Sequence, residues 1–201
     1  MDMEKVKNFA KKHLEKNDRS HGWQHTKRVL KLCERIGEEE GADLEVLRLA
    51  ALLHDVGHHR DKENHGEVSA ELAKDFLDGY GKKDEVIHCI TVHRFSKDRE
   101  PETLEAEILQ DADNLDVTGA IGIARTMMYA GENGRPIYLQ GEISDSYENG
   151  KSQTSVQHLR DKSLKIKDIL NTEAAKKIGA HRHEFTKDFL KELEGEYKGE
   201  I

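Results

Sequence analysis

The stretch Leu49-Ala50-Ala51-Leu52-Leu53-His54-Asp55-Val56-Gly57 sets two metal-competent side chains directly after the longest apolar run in the chain. Leu44, Leu47, Ala50, Leu53 and His54 fall on one helix face, with Ala42 or Asp43 ahead of it as a start and Gly57 as the expected stop. Adjacent residues of a helix point about 100° apart. His54 and Asp55 can therefore serve one ion only where a helix ends or kinks. A fold built around this segment has a buried helix whose last turn carries polar chemistry.

The same periodicity continues outward. His25, Val29, Leu32 and Ile36 step by helical intervals, as do Val68, Leu72, Phe76 and Tyr80, with Gly79 and Gly81 behind them as a stop. Val86, Ile87 and Ile90 lead toward His93. Pro101 stands where a helix can begin, and Leu104, Ile108, Asp111 and Leu115 form the next stripe. A small-residue helix is expected over 119–130. Residues 131–150, punctuated by glycines and Pro136, read as a mobile loop. Two helices should follow, one with Val156, Leu159, Ser163, Ile166 and Leu170 inward, the other with Ala175, Ile178, Arg182, Phe185 and Phe189. Asn171-Thr172 reads as the stop and N-cap between them. No repeat and no β alternation is found. The expectation is an all-α chain forming a single domain over 1–201, with a core near 18–118 and C-terminal helices near 152–197.

Composition narrows the function. The 201 residues carry a formal net charge of −8, which argues against nucleic acid as a main partner. No apolar run approaches the roughly 18 residues of a membrane span, and the N-terminus lacks the apolar stretch of a signal peptide. Cys33 and Cys89 make no disulfide framework, so a cytoplasmic location is expected. The 12 histidines are the unusual count.

A lone histidine on an apolar face is ordinarily a satisfied core residue, and a lone aspartate there is ordinarily a helix cap or an ion-pair member. Together, however, His25, His54, Asp55 and Asp111 form a set of two nitrogens and two oxygens on otherwise apolar faces. A buried carboxylate needs a partner, and this donor set suits Mn²⁺, Fe²⁺, Co²⁺, Ni²⁺ or Zn²⁺.

With those residues in place, the sequence resembles the HD-domain superfamily of metal-dependent phosphohydrolases, whose pattern is His…His-Asp…Asp. Here it reads as His25 in HGWQHTKRV, His54-Asp55 in LAALLHDVGHH and Asp111 in ILQDADNLD. The segments DRSHGWQHTKRV, TVHRFS, LQDADNLDVTGAIGIAR and LKIKDILNTEAAKKIGAHRHEF look like one subgroup of small stand-alone HD hydrolases. The resemblance implies an all-α HD core with one divalent ion (Mn²⁺, Fe²⁺, Co²⁺, Ni²⁺, Zn²⁺ or Mg²⁺) held by His25, His54, Asp55 and Asp111. It also implies hydrolysis of a phosphate ester or phosphoanhydride, with a nucleotide as the substrate class and nucleotidase or nucleoside triphosphate pyrophosphohydrolase as the activity.

Some relatives place a glutamate four residues after the motif histidine; this chain has His58 there. Asp55 and His58 are accordingly the candidates for moving protons. For His65 and His93, contact with substrate phosphate ranks first and a second metal second. Arg28, Arg60, Lys62 and Arg182 complete the expected phosphate contacts, and Trp23 is read as a core anchor ahead of a base-stacking surface. A di-iron oxygenase and a non-catalytic nucleotide-binding regulator stand as alternatives, and a homodimer is left open.

Overall fold

The computed structural model describes residues 1–17, 21–94, 100–138 and 152–201. Nine α-helices are seen among them: α1 (Met3–Leu14), α2 (Trp23–Glu40), α3 (Leu44–Leu53), α4 (His65–Phe76), α5 (Lys83–Val92), α6 (Leu104–Leu115), α7 (Gly119–Glu132), α8 (Ser155–Asp161) and α9 (Glu173–Lys198). A 3₁₀ helix covers Ser163–Ile169. The described residues contain no strand, so the fold is all-α. No described helix is long and apolar enough to cross a membrane.

The chain divides into two compact units, Met1–Asp113 with Asn171–Ala175, and Asn114–Leu170 with Lys176–Ile201. In the first, α3 is the central element. Seven of its residues, from Val46 to Leu53, are buried, as expected of a helix apolar on every side. Asp43 starts it, its carboxylate accepting from the backbone N–H of Glu45 and Val46. Helices α1, α2, α4 and α5 pack against α3. Val29, Leu32 and Ile36 of α2 and Val6, Ala10 and Leu14 of α1 supply buried stripes. Helix α1, in a stretch dense with lysines, begins with Asp2 accepting from the Glu4 N–H.

In the second unit a smaller core joins Ile123, Val156, Leu159 and Leu190. Val156, Leu159, Ser163, Ile166 and Leu170 are buried as their stripe requires, but one helix does not carry them all. The α-helix stops at Asp161, and from Ser163 the chain tightens into three-residue turns that bury Ser163 and Ile166. Thr172 caps α9, its Oγ1 accepting from the Ala175 N–H at 3.3 Å. The loop expected over 131–150 begins later, since α7 runs to Glu132, and most of it lies outside the described residues.

Candidate metal centre

Helix α3 ends at Leu53, before Gly57, and His54 and Asp55 occupy the turn just past its end. Both side chains can then point to one place, as the helix angle demanded. Gly57 serves a different purpose from the stop it was expected to be. A Cβ there would lie 2.6 Å from the Ser69 nitrogen and 2.8 Å from the Val68 carbonyl carbon, so only glycine admits α4 this close. Its N–H donates to Ser69 Oγ at 2.8 Å. That approach brings His65, the first residue of α4, onto Asp55.

Asp55 is the hub. Its Oδ2 is buried, makes no hydrogen bond, and sits 3.6 Å from His25 Nε2 and 3.5 Å from His54 Nε2. Its Oδ1 sits 3.3 Å from His65 Nε2 and 3.9 Å from His93 Nε2. Around each oxygen the paired ring nitrogens face one another, at 3.2 Å for His25 with His54 and 3.2 Å for His65 with His93. The four histidines are all buried.

The hydrogen bonds determine which atoms carry lone pairs. His54, His65 and His93 direct Nδ1 at the carbonyl oxygens of Ala51, Lys62 and Ile90, at 2.9, 2.9 and 2.7 Å. A carbonyl only accepts, so the proton is on Nδ1, and in the neutral ring Nε2 is an acceptor. Burial, opposed by the nearby Asp55 carboxylate, lowers the pKa of His65. Burial, reinforced by His54, takes His93 down to about 4. Neutral His65 and His93 thus aim two lone pairs at each other and at a carboxylate. A cation between them turns that repulsion into coordination, and Nδ1–H bound to a carbonyl is the arrangement that orients a ligand histidine. Two groups meet the donor requirement for an ion, His25 with His54 and Asp55, and Asp55 with His65 and His93.

Burial would raise the Asp55 carboxyl, but the facing histidines His54, His21, His25 and His93 outweigh it and hold it well below the usual range. Asp113 is held down in the same way, against burial, by the hydrogen bond and charge of His25. Its Oδ1 lies 3.2 Å from His25 Nε2.

Asp111 is elsewhere. Its Oδ1 accepts from the Asn171 backbone N–H at 2.8 Å and from Asn171 Nδ2 at 3.0 Å. Its Oδ2 accepts from the Thr172 N–H and Thr172 Oγ1, both at 2.8 Å. Four donors saturate the carboxylate, whose pKa is nevertheless raised by burial. The structure therefore does not bring Asp111 to the expected ligand set; it brings Asp113, two residues on. The helical stripe could not tell them apart, because burial in α6 is not confined to one stripe: Ile108, Leu109, Gln110, Asp111, Ala112 and Leu115 are all interior.

His58 is buried, with its ring stacked on His21 at 4.0 Å between centroids and 5.0 Å from His65. His21 was not singled out from the sequence; its place four residues before His25, one helical turn, is the signal that could have marked it. Of the expected phosphate contacts, Arg28 is half-buried on α2, while Arg60 and Lys62 are exposed in the turns between α3 and α4. Arg94, near His93 in sequence, donates to the Glu63 carbonyl. Arg182 belongs to the second unit, where its guanidinium donates to the Leu115 carbonyl at 2.7 Å beside a cavity of about 310 Å³ that His181, Phe185 and Ile121 also line. Trp23 is half-buried, with the Lys11 ammonium 5.0 Å from the ring centre.

A profile of the HD domain matches residues 22–118. YpgQ of Bacillus subtilis is 35% identical over 98% of this chain and 94% of its own length. The chain belongs to the HD superfamily. A crystal structure of an HD-superfamily hydrolase from Bacillus thuringiensis shares 32% identity at a TM-score of 0.77, covering 98% of this chain and 96% of that one. YpgQ has been crystallised with ADP, in a structure 33% identical with a TM-score of 0.77 over 96% of this chain and 94% of that one. Ribonuclease Y of Desulforudis audaxviator is 31% identical over 89% of this chain, which spans 33% of that enzyme's length. With these neighbours the chain is placed among the HD-superfamily hydrolases.

Proposed function

We propose that this HD protein is a metal-dependent phosphohydrolase acting on the phosphate ester or phosphoanhydride of a nucleotide. The observation that carries the reading is Asp55 Oδ2, a buried carboxylate oxygen without a hydrogen bond that faces the Nε2 atoms of His25 and His54. A buried anion left in that state is costly, and a divalent cation is the partner its neighbours are built to share. His25, His54, Asp55 and Asp113 would hold the ion, Asp113 taking the place expected for Asp111. Such an ion supplies Lewis acidity and lowers the pKa of water.

The chain's own residues do the rest. The carbonyls of Ala51, Lys62 and Ile90 hold the imidazoles in the ligating tautomer. Asp55, kept ionised by its histidines, accepts a proton only from a stronger acid than an ordinary carboxylic acid, which suits it to orienting a nucleophile. His58, stacked on His21 and 5.0 Å from the His65 ring, is the group we assign to proton transfer. Arg28, Arg60 and Lys62 remain proposed phosphate contacts. The ADP bound by YpgQ supports a nucleotide substrate.

A second reading draws on the other oxygen of Asp55. His65 and His93 share Asp55 with the first group, so these residues would hold a second ion, which an oxygenase would need. The deciding experiment loads the protein with Mn²⁺, Co²⁺, Ni²⁺, Fe²⁺ or Mg²⁺, supplies a panel of nucleotides and generic phosphoesters, and measures phosphate and pyrophosphate separately. Release of either product, abolished in His54→Ala, is the expected result. No release with any ion, together with O₂ uptake by protein carrying two irons, would replace the phosphohydrolase reading with the oxygenase one.

A further inference from the structure

We propose that Asn171 is a positioning residue that ties both halves of the candidate metal centre to one hydrogen-bonded strap; this rests on the metal reading above. Residues Asn171–Ala175 are far from the motif in sequence yet belong to the same compact unit. The Asn171 side chain makes two donations. Nδ2 donates to Asp111 Oδ1 at 3.0 Å and to Gln110 Oε1 at 3.2 Å. Gln110, itself 2% exposed, passes the connection on, its Nε2 donating to the Val92 carbonyl at 3.0 Å.

The two branches end beside ligands. Val92 is the last residue of α5, and His93 follows it. Asp111 lies two residues before Asp113 on α6, so holding Asp111 sets the rotation of the helix that presents Asp113. One amide therefore joins the turn of His93 to the carboxylate of Asp111, where it acts together with the backbone N–H of Asn171 and the two donors of Thr172. The chemistry is specific to an amide at both positions. Asn171 needs two side-chain donors, and Gln110 needs an acceptor on one side and a donor on the other. Glu40 provides an internal comparison. It anchors the same strap by accepting from the Ala174 N–H at 2.7 Å, but no hydrogen bond leads from it to either ligand.

The test is Co²⁺ titration of the full chain, reading affinity and the visible absorption of the bound ion, which reports ligand geometry without any assay of turnover. Asn171→Ala should weaken binding by about tenfold and change the absorption bands, while Glu40→Ala stays within about twofold of the parent with unchanged bands. Gln110→Glu, which keeps the acceptor for Asn171 but cannot donate to Val92, should also change the bands, and it serves if Asn171→Ala does not fold. Parent-like affinity and bands in Asn171→Ala or Gln110→Glu overturn the proposal, as does equal weakening in Asn171→Ala and Glu40→Ala, which would mean general loosening. His54→Ala separates this from the underlying reading. If it loses Co²⁺ while the strap variants do not, only the positioning role fails; if it binds Co²⁺ like the parent, the metal centre itself is refuted.

Discussion

Acidifying the metal-free protein from pH 7 to pH 5 should cost it about 2 kcal/mol of stability through His93 alone. The ring is fully buried, and burial with help from His54 brings its pKa from 6.5 to about 4. At pH 5 the unfolded ring is almost wholly protonated, whereas the folded ring remains mostly neutral. The unfolded state binds more protons, so stability falls as pH drops below about 6.5 and levels off near the folded value. The first 1.5 units of that window, at about 1.4 kcal/mol each, give the figure of about 2 kcal/mol. Asp55 and Asp113, whose pKa values are depressed, stay ionised throughout and do not contribute there. The assay is urea unfolding with EDTA present, followed by Trp23, the only tryptophan, which sits on α2 of the same unit. The parent should lose about 2 kcal/mol more than His93→Gln between the two pH values. Other histidines held low, such as His65 and His158, contribute to both chains and cancel to first order. Parallel losses in the two proteins would refute the argument that His93 is kept neutral by its surroundings.

Three further outcomes are expected. Asp113→Asn should lower bound Mn²⁺, counted by elemental analysis, at little cost in thermal stability, whereas Asp111→Asn should destabilise by about 1–3 kcal/mol, because its amide turns a donor toward the donors of Asn171 or Thr172. Gly57→Ala should cost about 1–3 kcal/mol in a thermal melt, since its Cβ meets backbone atoms of α4 that cannot swing away. Mn²⁺ affinity measured at pH 5.5 should be well below that at pH 7.5, because protons compete for the histidine ligands, and excess metal should restore only the part of the activity lost to dissociation.

The extent to which the centre could be read from sequence varies with the residue. His54 and Asp55 were legible because a polar pair after an apolar run is anomalous at the level of the chain itself. His25 was legible by its place in an apolar helical stripe. Asp111 and Asp113 were not separable that way. The stripe correctly puts Asp111 inside, and the structure shows why it is inside: it takes four hydrogen bonds from Asn171 and Thr172, the ordinary fate of a lone buried aspartate. The expected helix across 156–170 shows the same limit, since a buried stripe survives a change from α to 3₁₀ turns and its spacing does not reveal the break.

The sequence by itself determined the all-α class, the apolar α3 with its polar terminal turn, the Thr172 cap and the resemblance to the HD superfamily, while the choice of Asp43 over Ala42 at the start of α3 came from the structure. The class, α3 and the cap follow from local periodicity and capping, which depend on residues a few positions apart, whereas the resemblance rests on motif blocks spread along the chain. Only the tertiary structure decided which carboxylate of Asp111-Ala112-Asp113 faces the histidines, and that His65 and His93 meet Asp55 on its other oxygen. It also decided that a strap more than fifty residues beyond Asp113 holds Asp111 and Gln110 in place. Those are contacts between helices distant in sequence, set by rotation about each helix axis and by how closely Gly57 lets α4 approach. Spacing along a single helix carries no record of either.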